Sequence, residues 1–171
     1  GVIGWPINPS LSPCLHKFWI KECSVQGEYI PLAVSPKNLK YFLENLAENG
    51  FRGINITLPH KQAAMEIMDH LDLNSRRVGA INTVVVKKDG SLQGINTDGY
   101  GFLKNVQSSQ PNWSAKTGPI VVLGAGGAAR AVLATLVESG AIEIRLANRH
   151  NVRAEKLADD FNGAIKVHKG S

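Results

Sequence analysis

The stretch IVVLGAGGAA, residues 120–129, is a short apolar run that breaks into a G-x-G-x-x-A loop. Residues 120–123 read as a strand. Gly124 permits a tight turn, Gly126 lets the backbone approach a pyrophosphate, and Ala129 is small enough for the next helix to pack on that strand. A loop of this kind says little alone. Here it is followed at the proper spacing by a helix at 128–139 stopped by Gly140, a strand at 142–147, a helix from about 152 to 161 and the start of a third strand at 164–167. That succession is the context a dinucleotide-binding fingerprint requires.

The end of the second strand carries the next piece of information. Sites for NAD place an Asp or Glu there, on the ribose 2′-hydroxyl. This chain has Asn148, Arg149 and His150, with Arg153 one turn further on. A carboxylate would repel a 2′-phosphate, whereas guanidinium groups bind one through forked, charge-assisted hydrogen bonds. The alternative, a solvated helix start, leaves two arginines where a helix dipole disfavours cations. The expected nucleotide is therefore NADP(H), with Gly124, Ala125, Gly126, Gly127, Ala128, Asn148, Arg149, His150 and Arg153 as its candidate partners.

Before this region, residues 108–118 hold Pro111, Asn112 and Ser114 without an apolar period and read as a linker. The domain boundary is expected inside or just after the preceding helix, giving domains of 1–105 and 106–171. In the first, Ser12 as N-cap and Pro13 at the first helical position open a helix that Gly27 ends. A strand is expected at 29–34. Ser35-Pro36 opens a helix with Leu39, Phe42, Leu43 and Leu46 on one face and Gly50 as its stop. A strand at 53–58, a helical stretch at 63–68 and a hairpin of 81–86 with 92–95 around Asp89-Gly90 follow. Thr97 is placed to cap a helix from 98 to about 107. The fold class is thus α/β, an N-terminal α/β substrate domain plus an incomplete Rossmann-type domain.

Composition bounds the partners. The 171 residues are 43% hydrophobic, enough for one domain or two small cores. The formal charge of +5 is spread in ones and twos, so neither a basic patch nor an RNA-binding motif points to nucleic acid. A mildly basic surface suits anionic small molecules. Cys14 and Cys23 make no disulfide framework, which fits a reducing cytoplasm. No apolar run reaches the roughly 18 residues that span a bilayer, so no membrane association is expected. No cluster has metal-ligand spacing, so no metal is expected either.

Six motifs in one order carry a resemblance. They are Gly4-x-Pro6-Ile7-x-x-Ser10-x-Ser12-Pro13-x-x-His16, Gly53-x-Asn55-Ile56-Thr57-x-Pro59-x-Lys61, Gly79-Ala80-Ile81-Asn82-Thr83, Asn96-Thr97-Asp98-Gly99, Gly124-Ala125-Gly126-Gly127-Ala128 and Asn148-Arg149. With them the chain resembles the shikimate dehydrogenases from one end to the other. The resemblance implies reversible hydride transfer between NADPH and the ketone of 3-dehydroshikimate, giving shikimate, a step of chorismate and aromatic amino acid biosynthesis.

A ketone being reduced needs a proton at its oxygen from a group within hydrogen-bonding reach. The resemblance assigns that role to Lys61, with Asp98 as its partner on the same hydroxyl. It also implies that Ser10 and Ser12 bind the substrate carboxylate and that Thr57 and Asn82 bind the ring hydroxyls. Taken singly, Lys61 reads as an exposed lysine and Asp98 as a first-turn helix acid. His16 reads as a helix residue with a packing or capping role. Pro9 stands where the family usually has His, Lys17 where Asn is common, and His150 where Thr is frequent.

A full dinucleotide domain has two halves, and this chain ends in the first. About a hundred further residues are expected, including a segment that completes the substrate pocket. Competing readings are a quinate/shikimate dehydrogenase, a ligand-sensing homologue without catalysis, which would have no need of Lys61 and Asp98, and a folate-linked methylene dehydrogenase, which would lack Ser10-x-Ser12. Nothing in the sequence sets an oligomeric state, a homodimer being among the options.

Overall fold

Short strands with alternating apolar residues build the first sheet. The computed structural model describes residues 1–8 and 10–168, so Pro9 lies outside the described residues. The strands are β1 (Val2–Gly4), β2 (Pro31–Ala33), β3 (Gly53–Ile56), β4 (His70–Leu71), β5 (Thr83–Val86) and β6 (Leu92–Ile95). They lie in the order β2-β1-β3-β5-β6-β4. The pairs β1 with β2, β1 with β3 and β4 with β6 are parallel, while β5 runs antiparallel to both β3 and β6. Ile54 and Ile56 from β3 and Val84 from β5 face one side, where they join Ile3, Leu43 and Leu46 in a fully enclosed core. The pleat sends Asn55 and Thr83 to the other face. The register makes those two residues direct cross-strand partners.

The helices of this half differ in detail from the expectation. Helix α1 runs Ser12–Glu22 with Leu11, not Ser12, at the N-cap; the Ser12 N–H is instead met by Ser10 Oγ at 3.3 Å. It stops at Glu22 rather than near Gly27, because Ser24 takes a left-handed conformation, φ 50°. The N–H groups of Ser24 and Val25 then return to the carbonyls of Lys21 and Ile20, the double bond of a Schellman cap. A 3-10 turn (Pro36–Asn38) leads into α2 (Leu39–Glu44), which gives way to turns before Gly50 at φ 78°. Residues Ala63–Ile67 are a 3-10 helix. Helix α3 (Leu73–Val78) has no counterpart in the sequence reading. Asp72 Oδ1 accepts the Ser75 N–H at 2.8 Å to start it, and Gly79 at φ 68° ends it.

Beyond these elements come α4 (Asp98–Ser109), β7 (Ile120–Leu123), α5 (Gly127–Glu138), β8 (Ile144–Ala147), α6 (Asn151–Asp159) and β9 (Ile165–His168). The three strands are parallel and in the order β7-β8-β9. Leu133 and Leu136 from α5 meet Ile144 and Leu146 from β8 and Leu157 from α6 in a second core. This is the strand-helix-strand-helix-strand succession predicted from the glycine loop. The chain divides into two compact units, Gly1–Asn96 and one that begins at Thr97, so α4 goes with the second; the sequence reading put the division near residue 105. Among the described residues no helix is long and apolar enough to cross a membrane.

Candidate functional site

In the first unit, the face of the sheet opposite the core carries polar side chains in hydrogen-bonding reach of one another. The Tyr29 hydroxyl donates to Asn55 Oδ1 at 2.6 Å. Asn55 Nδ2 donates to Thr83 Oγ1 at 3.0 Å and to the Asn82 carbonyl at 3.4 Å, and the Thr83 hydroxyl donates to Asn82 Oδ1 at 3.0 Å. Burial raises the pKa of the Tyr29 phenol, and the nearby Ser12 side chain opposes the shift. Asn82, expected from the sequence, is therefore joined to Tyr29, Asn55 and Thr83, three residues that were not expected as site residues.

Tyr29 is itself fixed. It is 7% exposed, packs with Val2 and Ile7, and stacks face to face on His16 with ring centroids 4.1 Å apart. His16 thus has the packing role read from the sequence. Burial, and then the nearby amino terminus, lower its pKa.

Lys61 and Thr57 lie on the segment that leaves β3. The Thr57 N–H bonds the Ile3 carbonyl at 2.9 Å, and a side chain on Gly4 would put a Cβ 2.6 Å from Thr57 Cγ2, so the glycine of the first motif makes room for the threonine of the second. His60, 1% exposed, donates from Nε2 to the Val34 carbonyl at 2.7 Å. The Lys61 carbonyl accepts the Ile81 N–H at 2.8 Å, tying this segment to Gly79-Ala80-Ile81-Asn82-Thr83. That motif is held in turn by Asn96, 3% exposed, whose Nδ2 donates to the Ala80 carbonyl at 2.9 Å. His60 and Asn96 are buried polar groups whose hydrogen bonds offset their desolvation. Asn96 is a quoted residue of its motif, which was the available signal; His60 fills an unspecified position between Pro59 and Lys61, and Tyr29 stands in no motif.

The second unit uses the backbone instead. Gly124 has φ 107°, which strains any residue with a Cβ, and its N–H closes on the Ala147 carbonyl at 2.8 Å. Gly126 is different. It is the N-cap of α5 with φ −101° and ψ −174°, an extended conformation open to every residue, and a Cβ there would meet no atom within 4 Å. A glycine also gives up the side-chain oxygen that Ser, Thr, Asp or Asn would offer the first turn. Neither the conformation nor the packing of this chain asks for Gly126, and the open space it leaves at the start of a 12-residue helix suits an anion. Ala125 and Ala129 pack on the core, and Gly127 and Ala128 form the first turn. Arg130 is held in an ion pair with Asp160.

Asn148 Nδ2 donates to the His150 carbonyl at 2.8 Å and so shapes the turn after β8. His150 is the N-cap of α6 and its side chain makes no capping bond. Arg149, His150 and Arg153 are exposed, and the first turn of α6 has no acidic residue to balance Arg153. These groups fit the adenosine-phosphate half of an NADP site. Asp98 is the first residue of α4, and Gly99 behind it is buried against α5, where a Cβ would overlap the Thr135 hydroxyl.

Two family models match this chain, the shikimate dehydrogenase substrate binding domain over residues 2–84 and shikimate / quinate 5-dehydrogenase over residues 105–169. The shikimate dehydrogenase (NADP(+)) of Paramagnetospirillum magneticum is 51% identical over 167 residues, 98% of this chain and 60% of that protein. The crystal structure of shikimate dehydrogenase from Aquifex aeolicus aligns with a TM-score of 0.91 at 37% identity, covering 99% of this chain and 62% of that one. Shikimate 5-dehydrogenase from Thermus thermophilus, solved in complex with NADP(H) and shikimate, aligns with a TM-score of 0.85 at 36% identity, over 98% and 61%. This chain spans about 60% of the length of the curated relatives it matches. With both of its units matched in register, the chain belongs to the shikimate dehydrogenase family.

Proposed function

We propose that the intact protein catalyses the reversible, NADPH-dependent reduction of 3-dehydroshikimate to shikimate. Residues 1–105 supply the substrate side and residues 106–171 the first half of the cofactor site. The observation that carries the reading is the polar face joining Tyr29 to Asn82 in the unit matched to a substrate-binding domain, on a chain that continues into the Gly126 cradle. The relative from Thermus thermophilus, solved with NADP(H) and shikimate, supports the same pairing of ligands.

Bound NADPH supplies the hydride. The Lys61 ammonium gives its proton to the ketone oxygen as the carbonyl π pair becomes an alkoxide lone pair, and neutral Lys61 takes the hydroxyl proton in the reverse direction. The Asp98 carboxylate orients the ammonium and accepts from the same hydroxyl. Ser10 and Ser12 hold the carboxylate by hydroxyl donation, while Thr57 and Asn82 bond the ring hydroxyls. Arg149 and Arg153 take the 2′-phosphate, beside Asn148 and His150. We place the reaction in the cytoplasm, where the exposed thiols of Cys14 and Cys23 stay reduced.

The test follows NADPH consumption by the intact protein with 3-dehydroshikimate. Lys61→Ala is expected to lose about 10²- to 10⁴-fold in kcat, the usual worth of a positioned proton donor. Near-normal turnover in that variant removes Lys61 as the donor, and no turnover in the unmodified protein removes the function. Rates with shikimate and quinate, each with both nicotinamide cofactors, should be highest for shikimate with NADP. A preference for quinate with NAD would favour the quinate reading.

A further inference from the structure

Residues 57–61 leave the end of β3, and the chain around them is bonded from several sides. The Thr57 N–H donates to the Ile3 carbonyl in β1 at 2.9 Å, and the Trp5 N–H, just beyond β1, donates to the Leu58 carbonyl at 3.0 Å. The His60 N–H turns back to the Thr57 carbonyl at 3.0 Å, while the His60 carbonyl takes the Ala64 N–H at 2.9 Å where the 3-10 helix begins. The Lys61 carbonyl receives the Ile81 N–H at 2.8 Å. A side chain adds a further tie: His60 Nε2 donates to the carbonyl of Val34, the residue after β2, at 2.7 Å.

Packing alone does not call for an imidazole here. His60 is 1% exposed, and burying a polar ring costs free energy that an aliphatic side chain of similar size would not. What the ring adds is a directed bond. The Val34 carbonyl only accepts, so Nε2 carries the hydrogen, and the turn is tied sideways to the strand at the β2 edge of the sheet. One residue later, the Lys61 carbonyl ties the same turn to Ile81, on the approach to β5. The Lys61 Cα therefore lies between two anchors that pull toward different strands. The root of the lysine side chain is fixed by them, and a misplacement of about 1 Å at a reacting group can cost on the order of 100-fold in rate.

We infer that His60 is a positioning residue for the proton donor: its buried bond to the Val34 carbonyl holds the turn that carries Lys61, and so sets where the ammonium stands against the ketone oxygen. The inference rests on the function proposed above for the role of Lys61, but the hold on the turn is a property of the protein alone. His60→Leu fills a similar space without a donor. His60→Gln carries an amide N–H as many bonds from Cα as the imidazole Nε2 and can keep the bond.

In the intact protein, His60→Leu should lower kcat for 3-dehydroshikimate reduction about tenfold, with KM for 3-dehydroshikimate and for NADPH within about twofold of the unmodified values. His60→Gln should bring kcat back to within about threefold. An unchanged kcat in His60→Leu, or a His60→Gln protein as impaired as His60→Leu, overturns the inference. Because His60 acts through Lys61, adding His60→Leu to Lys61→Ala should lower the residual kcat by less than about twofold; a further tenfold loss in the double variant also overturns it. Another measurement needs no substrate. Amide hydrogen exchange at Ile81, relative to Val86 at the far end of β5, should quicken about fivefold in His60→Leu and return in His60→Gln, since general unfolding would speed both amides alike. An unchanged ratio overturns the inference whatever the kinetics. If His60→Leu fails to fold, His60→Met, a more adaptable apolar chain, is judged by the same measurements. Near-normal turnover in Lys61→Ala would remove Lys61 as the donor, while the exchange ratio would still decide whether His60 holds the turn.

Discussion

The two units prepare for a ligand in opposite ways. In the first, the polar face is built from side chains that hold one another: Tyr29 donates to Asn55, Asn55 to Thr83 and Thr83 to Asn82. In the second, recognition is built from what has been left out. Gly126 gives up a capping side chain, and Arg149 and Arg153 stand exposed beside a helix start that has no acid to meet them. A network of side chains discriminates among hydroxyls through unpaired groups if the wrong ligand binds. Bare backbone N–H groups suit a phosphate, which carries charge and accepts from any direction.

Two glycines of the second unit sharpen the contrast. A Cβ on Gly126 meets nothing within 4 Å, so Gly126→Val should leave thermal unfolding within about 2 °C of the unmodified protein while raising KM for NADPH about a hundredfold by filling the space of the pyrophosphate. A matching loss of stability would show that the glycine serves the fold. Gly99 is the reverse case. Its Cβ would overlap the Thr135 hydroxyl at the crossing of α4 and α5, so Gly99→Ala should cost about 1–3 kcal/mol of unfolding free energy, as overpacking does, and lower kcat by displacing Asp98. Gly99→Ala with Thr135→Ala should recover most of both. Failure of that pair would separate Gly99 from the helix crossing.

How much of this the sequence discloses depends on whether a residue acts locally. The glycine loop, the helices after β7 and β8, and the hairpin at Asp89-Gly90 are legible because turn chemistry and apolar period lie within a few residues of one another. Lys61, Asp98 and the two serines are legible only through motifs. Tyr29, which stands in no motif, is not, and Thr83, though it stands in one, shows its part only through the pairing with Asn55, 28 residues away along the chain. Helix α3 escapes notice because six residues are too few to show a period, although Asp72 and Gly79 mark both ends. The end of α1 is misread because a serine, Ser24, takes the left-handed turn that glycine usually provides.

The smallest effect expected tests the charge of the second site rather than its shape. Arg149 is exposed, so its removal leaves no buried group unsatisfied and should not alter stability measurably. Its guanidinium has value only against a doubly charged phosphate on the ribose, which NADPH has and NADH lacks. Arg149→Ala should therefore raise KM for NADPH about tenfold, the worth of one charge-assisted hydrogen bond at a solvent-facing site, and change KM for NADH by less than about twofold. The ratio of the two constants is the quantity to read, because a general loosening of the loop closed by Asn148 and His150 would raise both. Equal changes for the two cofactors would move the 2′-phosphate away from Arg149, and Arg153, in the first turn of α6, would be the next residue to replace.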